Sequence, residues 1–366
     1  RTIMEKMPDL WSFRSMILDL RQELVLPGIS RPADFQSERP AISTLGGTDP
    51  KGKASELQRL LDELEKTPLS ETAYLLTLYP QIAQLQTDLG YYSQALGSLD
   101  NWERLAGEAE KTVIREQKGG IYESSGDLSG ALAAFRQALT GYERAGDKGK
   151  EAWMHIRLGD IHRAMGDLDN ALEHFALALR ISKEAVKTMP ENLYLRNNVG
   201  LAFERRGNAF TDLGRLPEAL TAFEQYNSVE MELSVAQPGQ SWYKNNLAIS
   251  YGKLGETHVA LGNLDKALIF FEDYNSLEKE LYAAYPQNVE FKNGLAISYE
   301  KLGSTHTALG NLDKALTFFE EYNRLEKELY AAYPQNVSFK NGLAISYSKL
   351  GSTHTALGNL DKALTF

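Results

Sequence analysis

The chain has 366 residues, is 43% hydrophobic, contains no cysteine and carries a net charge of −10. The lack of cysteine excludes disulfides and thiolate metal sites and fits a reducing, cytoplasmic setting. The acidic balance argues against nucleic acid, whose phosphates such a chain repels overall, and no apolar run approaches the roughly 18 residues of a membrane span, so no membrane partner is expected.

Residues 1–26 read as an N-terminal helical segment, because Leu10, Trp11, Phe13, Met16, Ile17, Leu20 and Leu24 share one side of a helix over 9–24. It either caps the downstream helices or ends a preceding domain. Residues 27–53 lack periodicity, are rich in Pro, Gly, Ser and Asp, and read as a linker. Within them Gly47-Thr-Asp-Pro-Lys-Gly52-Lys53-Ala54 nearly matches a phosphate-binding loop. Ala54 stands where the magnesium-binding hydroxyl belongs, and no apolar strand ending in Asp comes after it, so a flexible loop is the expected reading. No cofactor is expected. A short helix is predicted over 54–66.

From residue 70 the chain repeats. Residues 303–318 recur letter for letter at 351–366, and a slightly altered copy starts at Gly255. A fixed period of 48 residues marks a stacked repeat array. In one unit, Leu295, Tyr299, Leu302, His306 and Leu309 line one face of a first helix. Gly310 is expected to stop it. Asn311 and Asp313 are expected to cap a second helix with their side-chain oxygens. That helix carries Leu312, Ala315, Leu316, Phe319, Tyr322, Leu325 and Leu329 and ends before Pro334.

A small residue in the first helix and an Ala twelve residues later recur as Ala83 with Ala95, Gly119 with Ala131, Gly159 with Ala171, Gly207 with Ala219, Gly255 with Ala267, Gly303 with Ala315, and Gly351 with Ala363. Face to face, they let the two helices approach closely, and the large residue four after the Ala fills the space one turn on. The steps between units are 36, 40 and then 48 residues, and Pro190, Pro238, Pro286 and Pro334 mark hairpin boundaries. The expectation is an array over 54–366 of seven units, the last truncated. Phe366 falls in mid-helix and residue 1 is Arg, so the sequence is expected to be part of a longer protein. An unfinished last unit would leave Leu360, Leu364 and Phe366 exposed, and self-association through that end is one way to cover them.

The Leu302-Gly303 pair and Ala315-x-x-x-Phe319 resemble the tetratricopeptide repeat, whose usual unit is shorter. The long units are similar to those of bacterial arrays attached to signalling ATPases of the STAND/NACHT-like kind. The resemblance implies an all-α fold: an α-solenoid of stacked antiparallel helix hairpins forming a right-handed superhelix, with first helices on the concave wall.

His258, His306, His354 and His162 stand where the family has an aromatic residue. One His per unit is too sparse to share an ion, so packing is their expected role and no metal site is expected. No nucleophile elbow is present, and no constellation argues for catalysis. The polar set that repeats is more informative. Arg157, Arg205, Lys253, Lys301 and Lys349 sit two residues before the marker Gly. Ile249, Lys253, Glu256 and Ala260 form a second stripe on a first helix, which Ile297, Lys301, Ser304 and Ala308, and then Ile345, Lys349 and Ser352, continue. Asn208 comes directly after the marker Gly one unit earlier. A second basic row, Arg196, Lys244, Lys292 and Lys340, lies near the helix starts, whereas the acids, including Glu272, Asp273, Glu278, Glu280, Glu320, Glu321, Glu326 and Glu328, crowd the second helices, where a solvated face is the default. A basic inner groove would favour an acidic protein or peptide partner. The alternative is that each lysine pairs with a glutamate of the neighbouring unit.

The expected function is a non-catalytic protein–protein interaction scaffold, the recognition part of a larger bacterial signalling or defence protein. The alternative is a regulatory, autoinhibitory array controlling a protease or NTPase domain outside this chain.

Overall fold

The computed structural model describes residues 50–68 and 70–365, so the expected helix over 9–24 and most of the 27–53 segment lie outside the described residues. The described residues contain fifteen α-helices and no strand, and they fall into two compact units divided after Asp167. The first unit holds α1 (Pro50–Lys66), α2 (Thr72–Asp88), α3 (Tyr92–Leu105), α4 (Glu108–Ser125), α5 (Leu128–Ala145) and α6 (Lys148–Ala164). The second holds α7 (Leu168–Thr188), α8 (Leu193–Asp212), α9 (Leu216–Ala236), α10 (Ser241–Ala260), α11 (Leu264–Ala284), α12 (Val289–Ala308), α13 (Leu312–Ala332), α14 (Val337–Ala356) and α15 (Leu360–Ala363). Within each unit every helix packs on the next in sequence, as a solenoid of stacked antiparallel hairpins requires.

The hairpin turns arise from backbone chemistry. Gly310 adopts φ 79°, and the Asn311 amide donates back to the His306 carbonyl at 2.8 Å, closing the end of α12. Only a residue without a Cβ takes that φ at little cost. At the other end of each hairpin Pro334 drives Tyr333 to φ −133°, so α13 stops at Ala332. The chain then restarts helix from Asn336, whose side-chain oxygen accepts from the amides of Ser338 at 2.9 Å and Phe339 at 3.3 Å. Asn288 caps α12 in the same way.

The capping expected of Asn311 is not made. Its side chain gives no cap bond to α13, and its amide lies 3.4 Å from Nδ1 of His306. Asn caps the first helix of a hairpin here, whereas in the first unit Asp127, after the equivalent turn at Gly126, caps the second helix α5 by accepting from the Gly130 amide at 2.8 Å.

The marker residues meet as the spacing requires. A Cβ on Gly303 would lie 2.6 Å from the Phe319 ring, so the missing side chain is the space the ring occupies. Phe175, Phe223, Phe271 and Phe319 are at most 2% exposed, forming a ladder of fully buried rings in the second unit. Each such ring contributes about 1.5–3 kcal/mol of burial.

Helix α1 begins four residues earlier than the pattern suggests, at Pro50, a residue well tolerated in a first helical turn. The last four residues of the 27–53 segment are therefore helical. Leu57 and Leu60 pack on Leu78, Ile82 and Leu85 of α2, and Lys53 of the near phosphate-loop motif is tied to Asp88 at 2.8 Å.

Candidate protein-binding surface

In the second unit the stripe on α10, α12 and α14 is a physical feature. The first helices α10 and α12 approach one another. Between α10 and α12 lies a cleft of about 260 Å³ bordered by Glu256, Val259, Phe271, Lys301, Ser304 and Ala308. Forty-eight residues on, a cleft of about 140 Å³ between α12 and α14 is bordered by Ser304, Thr307, Phe319, Lys349, Ser352 and Ala356, the same positions one unit later. The floor of each is the edge of the buried phenylalanine. The lip of the larger cleft is part apolar, with Val259 at 41% exposure.

The lysines of this stripe reach backwards. Lys301 Nζ lies 2.8 Å from Glu256 on the preceding first helix. Lys349 Nζ lies 3.1 Å from Glu300 and donates to Ser304 Oγ at 2.8 Å, while sitting 5.6 Å from the centre of the Phe319 ring. Burial alone would lower the Lys301 pKa, but the charge and hydrogen bond of Glu256, with Glu300 behind it, outweigh burial and raise it. Lys253 makes no ion pair among the described residues.

Two further members of the set are structural. Arg205 pairs with Glu204, which also accepts from the Asn208 amide. In the first unit Arg157 forms a buried ion pair with Glu123 while stacked 5.1 Å from Phe135 and 5.4 Å from Trp153.

Three of the four members of the second basic row are paired with acids of the second helices. Arg196 is 2.6 Å from Glu232, Lys244 is 2.9 Å from Glu280 and Lys292 is 2.5 Å from Glu328. Each pair is 36 residues apart, from the first helix of a hairpin to its own second helix. The expected contribution of this row to a basic groove is therefore corrected: the acids of the second helices neutralise these three locally. Lys340 is exposed and has no ion pair among the described residues.

Glu278 and Glu326 require a correction too. They are buried, at 2% and 3% exposure, against the next hairpin rather than solvated. The signal was present as a recurring frame: Tyr226-Asn227-x-x-Glu230, Tyr274-Asn275-x-x-Glu278 and Tyr322-Asn323-x-x-Glu326.

The histidines pack as rings. His258 stacks on Phe270 at 5.3 Å and His306 on Phe318 at 5.5 Å, both nearly parallel. Among the described residues no group of His, Asp and Glu is placed to hold a metal ion, and no helix is long and apolar enough to cross a membrane.

Models of the tetratricopeptide repeat match residues 110–184, and again 248–280 and 296–328. These three segments match the tetratricopeptide repeat. Among solved structures it is similar to BtubC from P. vanneervenii, at 18% identity and TM-score 0.53 over 68% of this chain and 92% of that one. It is also similar to the apo form of RapI, at 14% identity and TM-score 0.55 over 83% of this chain and 84% of that one. At such identities the likeness is one of fold. No curated protein matches the chain. The tetratricopeptide segments at 248–280 and 296–328 include the second helices that carry the buried Phe271 and Phe319 and both walls of the larger cleft.

Proposed function

We propose that this chain is a non-catalytic protein-interaction scaffold, and that the first-helix face of its second unit takes an extended protein or peptide segment. The observation that carries this reading is the pair of equivalent clefts between α10 and α12 and between α12 and α14, built from the same positions one repeat apart. Packed helices stand about 8–10 Å apart, and an extended chain rises about 3.3 Å per residue, so successive clefts suit side chains roughly three residues apart. Lys253, Lys301 and Lys349, with Glu256, Ser304 and Ser352, edge this face, and an acidic partner would compete with Glu256 and Glu300 for the lysines. The chain acts on this reading as the recognition part of a larger bacterial signalling or defence protein.

The test is site-directed photocrosslinking. A crosslinker at residue 304 or 352 should trap one defined partner, and one at the outer residue 280 should not. The combined charge reversal K253E/K301E/K349E should abolish trapping while leaving the melting temperature within a few degrees. Equal trapping from residues 280 and 304, or trapping that survives the reversal, refutes the reading.

A further inference from the structure

The junctions between hairpins in the second unit share one polar device, distinct from the clefts. Tyr226, Tyr274 and Tyr322 donate their hydroxyls to the backbone carbonyls of Asn246, Gly294 and Gly342 in the following first helix, at 3.4, 3.3 and 3.1 Å. One residue on, Asn227, Asn275 and Asn323 donate to Ser250, Ser298 and Ser346, each at 2.8 Å. Those serines in turn donate to the carbonyls of Leu247, Leu295 and Leu343 at 2.7 Å. Each tyrosine and serine hydroxyl in this zipper has an acceptor, and each asparagine amide has at least one.

The third member of the frame does not fit that accounting. Glu230, Glu278 and Glu326 are 1%, 2% and 3% exposed, and in each one carboxyl oxygen is buried with no hydrogen-bond partner among the described residues. No cation among those residues offsets them. Glu230 accepts from the Asn246 side chain and faces the like charge of Glu204. Glu278 meets Tyr274 on its own helix and Gly294 on α12, with Glu256 of α10 the other charge around that tyrosine. Glu326 meets Tyr322 and Gly342, with Glu300 of α12 nearby. A Cβ on Gly294 would sit 2.5 Å from the Glu278 carboxyl, so the glycine makes room for that group alone. An ionised carboxylate so buried without a counter-charge is strongly disfavoured, and at Glu230 the charge of Glu204 adds to this, whereas the neutral acid is tolerated.

We propose that Glu230, Glu278 and Glu326 are held as neutral carboxylic acids at three successive hairpin junctions, and that their ionisation loosens these junctions together, making the second unit a pH-responsive stack. This goes beyond partner recognition and does not depend on it. Burial pushes Glu230 and Glu278 up to about 8 and Glu326 up to about 7, from an ordinary 4.5. Because the folded state then holds these protons more tightly than the unfolded chain, stability is fully present below about pH 4.5 and declines as pH rises through 7 to 8. The three interfaces repeat one geometry, so they respond over one window.

The test uses infrared difference spectroscopy and thermal melting of the whole chain. Between about pH 6.5 and 9.5, where exposed carboxyls are already ionised, the wild type should lose a protonated-carboxyl band worth about three groups. The band should be absent from E230Q/E278Q/E326Q. The melting temperature of the wild type should fall across the same interval, while the triple variant is nearly flat and the exposed-acid control E280Q/E328Q keeps the wild-type slope. A wild type with no such band at pH 6.5 overturns the proposal whether or not the triple variant folds. So does a single E278Q variant that leaves both band and slope unchanged.

Discussion

The Phe319 ring occupies the place where Gly303 would carry a Cβ, with only 2.6 Å between them if that atom were built. This contact sets how closely α12 and α13 approach, and the same pairing recurs as Gly255 with Phe271 and Gly207 with Phe223. G303A should therefore overpack the hairpin and cost about 1–3 kcal/mol, and F319A should cost about 3–5 kcal/mol by leaving a cavity. The two effects should be less than additive, because the added methyl partly fills the space the ring leaves. Urea unfolding of the two single variants and the double variant checks this, and strict additivity would show that the residues do not share a space.

The Arg157–Glu123 pair should behave as a core element. Both residues are under 10% exposed. E123A strands a buried guanidinium and should cost about 3–5 kcal/mol. E232A, which removes the partner of Arg196 from an exposed site, should cost under about 1 kcal/mol. Comparable losses in chemical denaturation would mean that burial does not separate the two pairs.

His258 and His306 oppose protonation. Burial lowers their pKa values below 6.5, helped by Lys266 and Lys314 respectively, against a weaker upward pull from Glu224 and Glu272. A histidine whose folded pKa is depressed contributes stability that is present above 6.5 and lost as pH falls below it. In the E230Q/E278Q/E326Q background, where the opposing pH dependence of the buried glutamates is removed, the protein should therefore melt at lower temperature at pH 5 than at pH 6.5. Added to that background, H258F/H306F, which keeps rings beside Phe270 and Phe318, should reduce that acid-side loss. An unchanged acid limb in the variant would place its origin elsewhere.

K301Q is expected to be nearly silent for folding, with a change under about 1 kcal/mol. The Lys301–Glu256 pair is partly exposed, with side-chain exposures of 31% and 47%, and such pairs contribute little net free energy. Differential scanning calorimetry distinguishes this from a structural lysine, for which a loss of several kcal/mol would be measured.

The sequence alone determined the period, the two-arm unit and the contacts inside one hairpin. Helical spacing picks out residues on one stripe, and the short Gly turn leaves that stripe only one neighbour to face. Thus Leu302, Ala315, Phe319 and His306 are buried as their spacing implies. Only the tertiary structure decided what covers the other faces. A second helix such as α11 is flanked by its own first helix and by the next hairpin, so its acids divide: Glu280 reaches Lys244 in solvent while Glu278, two residues away, is sealed against Gly294. The partners of Lys301 and Lys349 likewise lie 45 and 49 residues back. Such pairings depend on the register in which hairpins stack, and register is set by the packing of large buried side chains rather than by any local pattern of charge.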